Sequence, residues 1–136
     1  MVAAGVVPFL LDTQYRMHPA ISQFPADLFY AGKIQDGIPL DYRKTPRGYN
    51  WPRPDWPVAF EPVRYSRETV EGVSRFNQTE AEAVCRVVQG FLQAELPPGD
   101  IGVVTPYAAQ VRVLRRMLRG VVEVSSVDGF QGREKE

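Results

Sequence analysis

The stretch IGVVTPYAAQVRVLRRMLRGVVEVSSVDGFQGRE, residues 101–134, decides the fold. It opens on a short apolar run, 101–106, the pattern of a strand buried on both faces. In YAAQVRVLRRMLRG, Val111, Leu114 and Leu118 take one side and Arg112, Arg115, Arg116 and Arg119 the other, which predicts a helix stopped by Gly120. A second apolar run, VVEVSSVD (121–128), predicts another strand, followed by the glycine-containing loop GFQGREKE. Strand, crossover helix and strand joined by short connections is the building unit of a parallel sheet.

Upstream, Asn77 stands three residues before Glu80, an Asn-led analogue of the capping box. Val84, Val87, Val88, Phe91 and Leu92 then form an apolar stripe that predicts a helix ended by LPPGD. Nearer the N-terminus, VVPFLLD (6–12) predicts a first buried strand. HPAISQFPADLFYAGKI predicts a helix with Ile21, Phe24 and Leu28 on its apolar face, shortened or kinked at Pro25 and stopped near Gly32. Residues 36–57 are rich in proline and predict an ordered surface connection. PVAFEPV (57–63) alternates as a strand would, and RYSRETVEGVSRF (64–76) reads as a polar loop. The expected class is α/β, with a mostly parallel sheet flanked by helices, in one modest domain over residues 1–136.

Composition narrows the function classes. Apolar residues make up 44% of the chain, enough for a packed core, and 16 basic residues balance 16 acidic ones. Bulk charge therefore does not demand a nucleic-acid partner, and local clustering has to carry that argument. A single cysteine, Cys85, excludes an internal disulfide and a cysteine-built zinc cluster, and a buried inert thiol is expected there. A reducing, intracellular compartment fits, cytoplasm or nucleus. No apolar run approaches the roughly 20 residues of a membrane span, so no membrane partner is expected. The chain ends in a charged loop with no closing helix, which reads as an incomplete domain.

In open α/β sheets the ligand lies beyond the carboxyl ends of the strands. Three polar clusters are predicted there: DTQYR, TPY and SVDGFQGRE. Tyr15 offers a flat face for a base and Arg16 a two-pronged donor for a phosphate; a core tyrosine beside a surface ion pair is the plainer reading. His18, the only histidine, has no partner for a metal site, so no metal site is expected and capping or packing is its expected role. The glycines of VDGFQGRE can let backbone amides approach a ligand, or can simply make a turn; the segment lacks the GK[ST] core of a Walker loop. The arginines at 112, 115, 116 and 119 suit either a solvated face or a phosphate-tracking surface. Thr105, Tyr107 and Gln110 open the same helix, where phosphate contact is reasonable. Trp51 and Trp56, beside Arg47 and Arg53, are expected to pin the proline-rich connection to the body.

LDTQYRMHPAISQFPADLFYAGKIQDG resembles the QYRMHP segment of superfamily 1 helicases of the nonsense-mediated-decay, Upf-like type. WPRPDWPVAF, SRFNQTEAEAV, DIGVVTPYAAQVRVL and VEVSSVDGFQGREKE follow in that family's order. The resemblance implies the second RecA-like domain of a P-loop NTPase-type helicase core, incomplete at its C-terminal end. It implies Arg16 as an arginine finger on the γ-phosphate of ATP. Gln14 and Tyr15, with Gly132, Arg133 and Glu134, match nucleotide-side positions. Thr105, Pro106, Tyr107, Gln110, Ser126 and Val127 match the nucleic-acid path or its coupling to ATP. The implied cofactor is ATP with Mg2+, held mainly by a first RecA-like domain of the same parent chain. The implied partner is single-stranded RNA or DNA. The family's phosphate loop and magnesium-binding acidic segment are not in this sequence, so the chain alone is expected to be inactive. A non-enzymatic nucleic-acid-binding or scaffold domain on the same fold is the alternative.

Overall fold

The structure, a computed structural model, describes residues 9–135. They fall into two compact units: Met1–Thr45 with Trp51–Ala59, and Pro46–Asn50 with Phe60–Glu136.

In the first unit, β1 (Thr13–Gln14) pairs in parallel with β2 (Gln35–Asp36), and α1 (Pro19–Tyr30) connects them. Pro19 sits at the first helical position, where a missing N–H costs nothing. His18 caps the helix: its Nδ1 accepts from the Ala20 N–H at 3.0 Å, and its Nε2 lies 3.1 Å from the Leu40 carbonyl. The tautomer protonated on Nε2 satisfies both contacts, so this buried ring caps and packs, as the sequence suggests. Pro25 lies inside α1, and Ala31 ends the helix in the left-handed region.

Two expectations for this unit change. Of the strand expected over 6–12, residues 6–8 lie outside the described residues; 9–12 are exposed and outside any strand, and pairing begins at Thr13. The helix face is also different. Ala20, Ser22 and Ala26 are buried, while Ile21, Phe24 and Leu28 are exposed. Small side chains bring α1 close to β2, where Ser22 Oγ donates to Asp36 at 2.5 Å; the large residues are then left outside.

The second unit is built on the unit of the opening stretch. β5 (Gly102–Thr105) and β6 (Glu123–Ser126) are parallel, with Val103 opposite Val124 and Thr105 opposite Ser126, and α3 (Ala108–Leu118) crosses between them. α2 (Gln78–Gln93) packs along α3, and the core is Ala81, Cys85, Val88, Ile101, Val111, Val113, Leu114, Leu118, Val122 and Val124. Leu114 is fully buried at the centre, where truncation to alanine costs on the order of 2–5 kcal/mol. Asn77 is the N-cap of α2 and accepts from the Glu80 N–H at 3.1 Å, a cap that contributes about 1 kcal/mol. Cys85 is buried, and burial pushes its thiol pKa up, as an inert core cysteine requires. A one-turn helix, α4 (Val127–Phe130), follows β6.

Two further expectations are corrected here. The polar stretch 64–76 is not simply a loop: β3 (Glu68–Glu71) and β4 (Ser74–Asn77) form an antiparallel hairpin. All of β3 is exposed, so the buried/exposed alternation that marks a strand is missing. Residues 57–63, whose sequence pattern predicts a strand, form none. Phe60 and Val63 instead border an apolar groove with Val84, Val87 and Phe91 of α2 and Val103 of β5. Among the described residues, the single expected sheet is three two-stranded pieces, two parallel and one antiparallel.

Candidate functional site

The QYR cluster is organised by one side chain. Gln14 Nε2 donates to the Met17 carbonyl at 2.7 Å and to Asp36 Oδ1 at 2.6 Å. Its Oε1 accepts from the N–H groups of Arg16 (3.0 Å) and Met17 (2.7 Å). Both ends of the amide are thereby engaged in holding the turn that follows β1. Arg43 adds a hydrogen bond from its guanidinium to the Arg16 carbonyl. The turn carries Tyr15 and Arg16 as exposed side chains, Tyr15 at 68% exposure. The Tyr15 ring rests on Gly37, where even a Cβ would come within 2.2 Å of it. Gln14, expected as a cofactor contact, therefore acts in this structure as the clamp that presents its two neighbours.

In the second unit, parallel pairing puts the loops after β5 and β6 at the same end of the strands, the end at which α/β sheets take ligands. Pro106, Tyr107 and Val127 are exposed there, and Thr105 and Ser126 are half-buried. Thr105 Oγ1 accepts from the Tyr107 N–H at 3.4 Å. Ser126 caps α4 by accepting from the Gly129 N–H at 3.1 Å. Gln110 differs from the expectation. It is 6% exposed; its Oε1 accepts from the Asn77 N–H at 2.7 Å and its Nε2 donates to the Asn77 carbonyl at 3.1 Å. This amide ties α3 to the end of β4 and leaves little surface for a strand to contact.

Gln131, Gly132, Arg133 and Glu134 are exposed, and Phe130 is half-buried. Gly132 takes a φ of +79°, a backbone state that favours glycine. Arg133 pairs with Glu123, and Lys135 Nζ approaches the same carboxylate at 3.0 Å. Lys135, and then Arg133, hold the Glu123 carboxyl below the usual carboxylate range. Expected on the nucleotide side, Arg133 thus carries an ion pair within its own unit.

The arginine stripe of α3 divides. Arg112 pairs with Glu71 of the hairpin at 2.5 Å. Arg115 donates from Nε (3.0 Å) and Nη2 (2.8 Å) to the Val124 carbonyl, bracing α3 against β6. Arg116 and Arg119 are exposed. In the proline-rich connection, the Arg53 guanidinium lies 4.7 Å from the Trp56 ring centre, and the half-buried Trp56 borders a cleft with Ser22, Ala26 and Leu40. That is a pinning role. Among the described residues, no three His, Cys, Asp or Glu side chains converge to hold a metal ion. No described helix is long and apolar enough to cross a membrane.

Parallel strand pairs, flanking helices and polar loops at the strand ends define a RecA-like α/β domain of the P-loop NTPase class. The family profile described as "AAA domain" matches residues 1–136. Across its full length the chain is 40% identical to the "Regulator of nonsense transcripts 1 homolog" of Arabidopsis thaliana, covering 12% of that protein. It is 37% identical to the "Regulator of nonsense transcripts 1 homolog" of Drosophila melanogaster, covering 12%, and 37% identical to the "ATP-dependent helicase NAM7" of Saccharomyces cerevisiae, covering 15%. The chain belongs to this AAA domain family, as a domain of the Upf-like superfamily 1 helicase type. It spans about an eighth of the length of the relatives it matches.

Proposed function

We propose that the chain is the second RecA-like domain of an ATP-dependent helicase acting on single-stranded RNA or DNA. In this reading it supplies one half of an ATPase site and one wall of a strand path. The observation that carries it is the Gln14 clamp: four hydrogen bonds fix the turn, and the turn holds Tyr15 and Arg16 at the surface. Tyr15 stacks on the adenine. Arg16 neutralises charge on the γ-phosphate in the transition state, and the rigid turn keeps the guanidinium positioned before the nucleotide arrives. The resemblance to the Upf-like helicases supports placing the metal and the triphosphate mainly on a first RecA-like domain of the same parent. Bound there, Mg2+ would supply neutralisation of phosphate charge and help orient the nucleotide. Gly132 and Glu134 face the ribose and phosphate side, with Arg133 joining them only by leaving Glu123. Thr105, Pro106, Tyr107, Ser126 and Val127 form the strand path, and Gln110 supports it from beneath.

The test is Arg16→Ala in the full-length parent. ATP turnover falls by ~10³ or more while the affinity for ATP changes little. Arg16→Lys restores little of the loss, because an ammonium cannot reproduce the planar fork. Turnover within a few-fold of wild type would remove the finger and leave the non-enzymatic alternative.

A further inference from the structure

We propose that the β3–β4 hairpin is a second, gated contact for the nucleic-acid strand, in which Arg75 and Arg112 exchange the carboxylates of Glu68 and Glu71 for backbone phosphates beside Tyr107. The inference rests on the reading of Tyr107 as part of the strand path and extends that path onto an element outside the helicase motifs.

Position comes first. Ser74 Oγ accepts from the Ala109 N–H at 3.1 Å, and both polar groups of the Asn77 backbone are held by Gln110. The two ends of β4 are thereby fixed to the first turn of α3, so the hairpin cannot swing away from Tyr107. Arg75, between them, brings its guanidinium carbon to 5.8 Å from the centre of the Tyr107 ring. That ring is 43% exposed. A cation set over an aromatic face, with the ring still open to solvent, is the combination that grips a single strand: a π-surface for a base and a donor for its phosphate.

Charge supplies the gate. Arg75 Nη1 meets Glu68 Oε2 at 2.8 Å, and Arg112 Nη2 meets Glu71 Oε1 at 2.5 Å. All four side chains are about half exposed. Exposed pairs of this kind contribute little to stability, so a phosphate can displace either carboxylate at small cost. One nitrogen of each guanidinium meets its carboxylate, and a guanidinium carries five N–H donors. The carboxylates occupy the arginines and neutralise them until a strand arrives. In this arrangement Glu68 and Glu71 compete with the strand, whereas in a purely structural hairpin they only stabilise it.

The experiment measures binding of the full chain to short fluorescent oligouridylate and oligodeoxythymidylate by anisotropy over a range of salt, with a thermal melt of every variant. Arg75→Ala/Arg112→Ala lowers the slope of log affinity against log salt by about 0.7 per lost contact. Glu68→Gln/Glu71→Gln, which keeps shape and removes charge, tightens binding about threefold to tenfold at low salt. Tyr107→Ala weakens both. If Tyr107→Ala weakens binding but the arginine pair keeps the wild-type slope, or the glutamine pair fails to tighten, the hairpin proposal is overturned and the strand path stands. If the wild-type chain binds neither probe, or Tyr107→Ala binds as wild type, the path itself is wrong and the hairpin contact falls with it. Should the arginine variant melt early, the shape-preserving glutamine pair decides alone.

Discussion

Replacing Gln110 with alanine separates a supporting role from a ligand role. In the structure this amide satisfies two buried backbone groups of Asn77, accepting at 2.7 Å and donating at 3.1 Å. Truncation removes both contacts at once and orphans the Asn77 N–H, while the Asn77 carbonyl, as the N-cap carbonyl, keeps the first bond of α2. An unsatisfied buried peptide group costs about 1–3 kcal/mol, and a water entering the vacated space recovers part of that. The expected loss is therefore ~1–3 kcal/mol, a sizeable fraction of the ~5–15 kcal/mol that holds a typical domain together. Gln110→Glu keeps the acceptor for the Asn77 N–H but turns a carboxylate oxygen toward the Asn77 carbonyl, so it also destabilises. Urea unfolding of the chain followed by circular dichroism measures the loss, which shows as a lower midpoint at unchanged slope. Strand binding, measured on the folded fraction, keeps its salt dependence because no phosphate contact is removed. A stability change under about 0.5 kcal/mol together with weakened strand binding would refute the assignment and return Gln110 to the nucleic-acid path.

Three further outcomes follow from particular contacts. Gly90→Ala destabilises the chain despite the ~1 kcal/mol that helix propensity favours, because its Cβ would lie 2.4 Å from the Gly48 carbonyl oxygen; a raised melting temperature would show that this backbone crossing does not exist. Gly37→Ala leaves the melting temperature nearly unchanged, since the displaced Tyr15 ring is exposed, but raises KM for ATP in the full-length parent; an unchanged KM would separate Tyr15 from the adenine. Glu123, held low chiefly by Lys135, is depressed in the folded state, so its contribution is present above its unfolded pKa near 4.5 and is lost as pH falls through the lower folded value. The melting-temperature gap between wild type and Glu123→Gln is thus open at neutral pH and closes in acid; a gap independent of pH would contradict the ion pairs.

The parts legible in the sequence are those set by neighbours along the chain. The Asn77 cap, the apolar side of α3 at Val111, Leu114 and Leu118, and the breaks near Gly32 and Gly120 all depend on spacings of four residues or fewer, and the structure has them. The parts misread depend on distant partners. Gln110 looks like a surface ligand until Asn77, 33 positions earlier, is placed beside it. Residues 57–63 have the sequence pattern of a strand, yet a pattern creates no hydrogen-bonding partner, and residues 60–63 border a groove beside α2 instead. The hairpin did leave one local trace: Gly72, at φ +60°, occupies the first connecting position between two four-residue strands, the place a tight hairpin turn reserves for glycine.

The motif residues themselves divide by where their polar atoms go. Gln14, Gln110 and Ser126 direct theirs inward, to Met17 and Asp36, to Asn77, and to Gly129. Tyr15, Arg16, Tyr107 and Val127 lie beside them and are exposed. In the proposed function, neighbouring positions hold opposite tasks, one fixing the backbone and the other meeting the ligand. A group that has to meet a phosphate held by another domain gains little from being mobile, since ordering it at the moment of reaction would cost up to ~2 kcal/mol of side-chain entropy and more for its backbone. The inward-facing partners meet the backbone part of that cost during folding. Changing Gln14 should therefore impair turnover in the full-length parent through the position of Arg16, leaving the guanidinium present but misplaced.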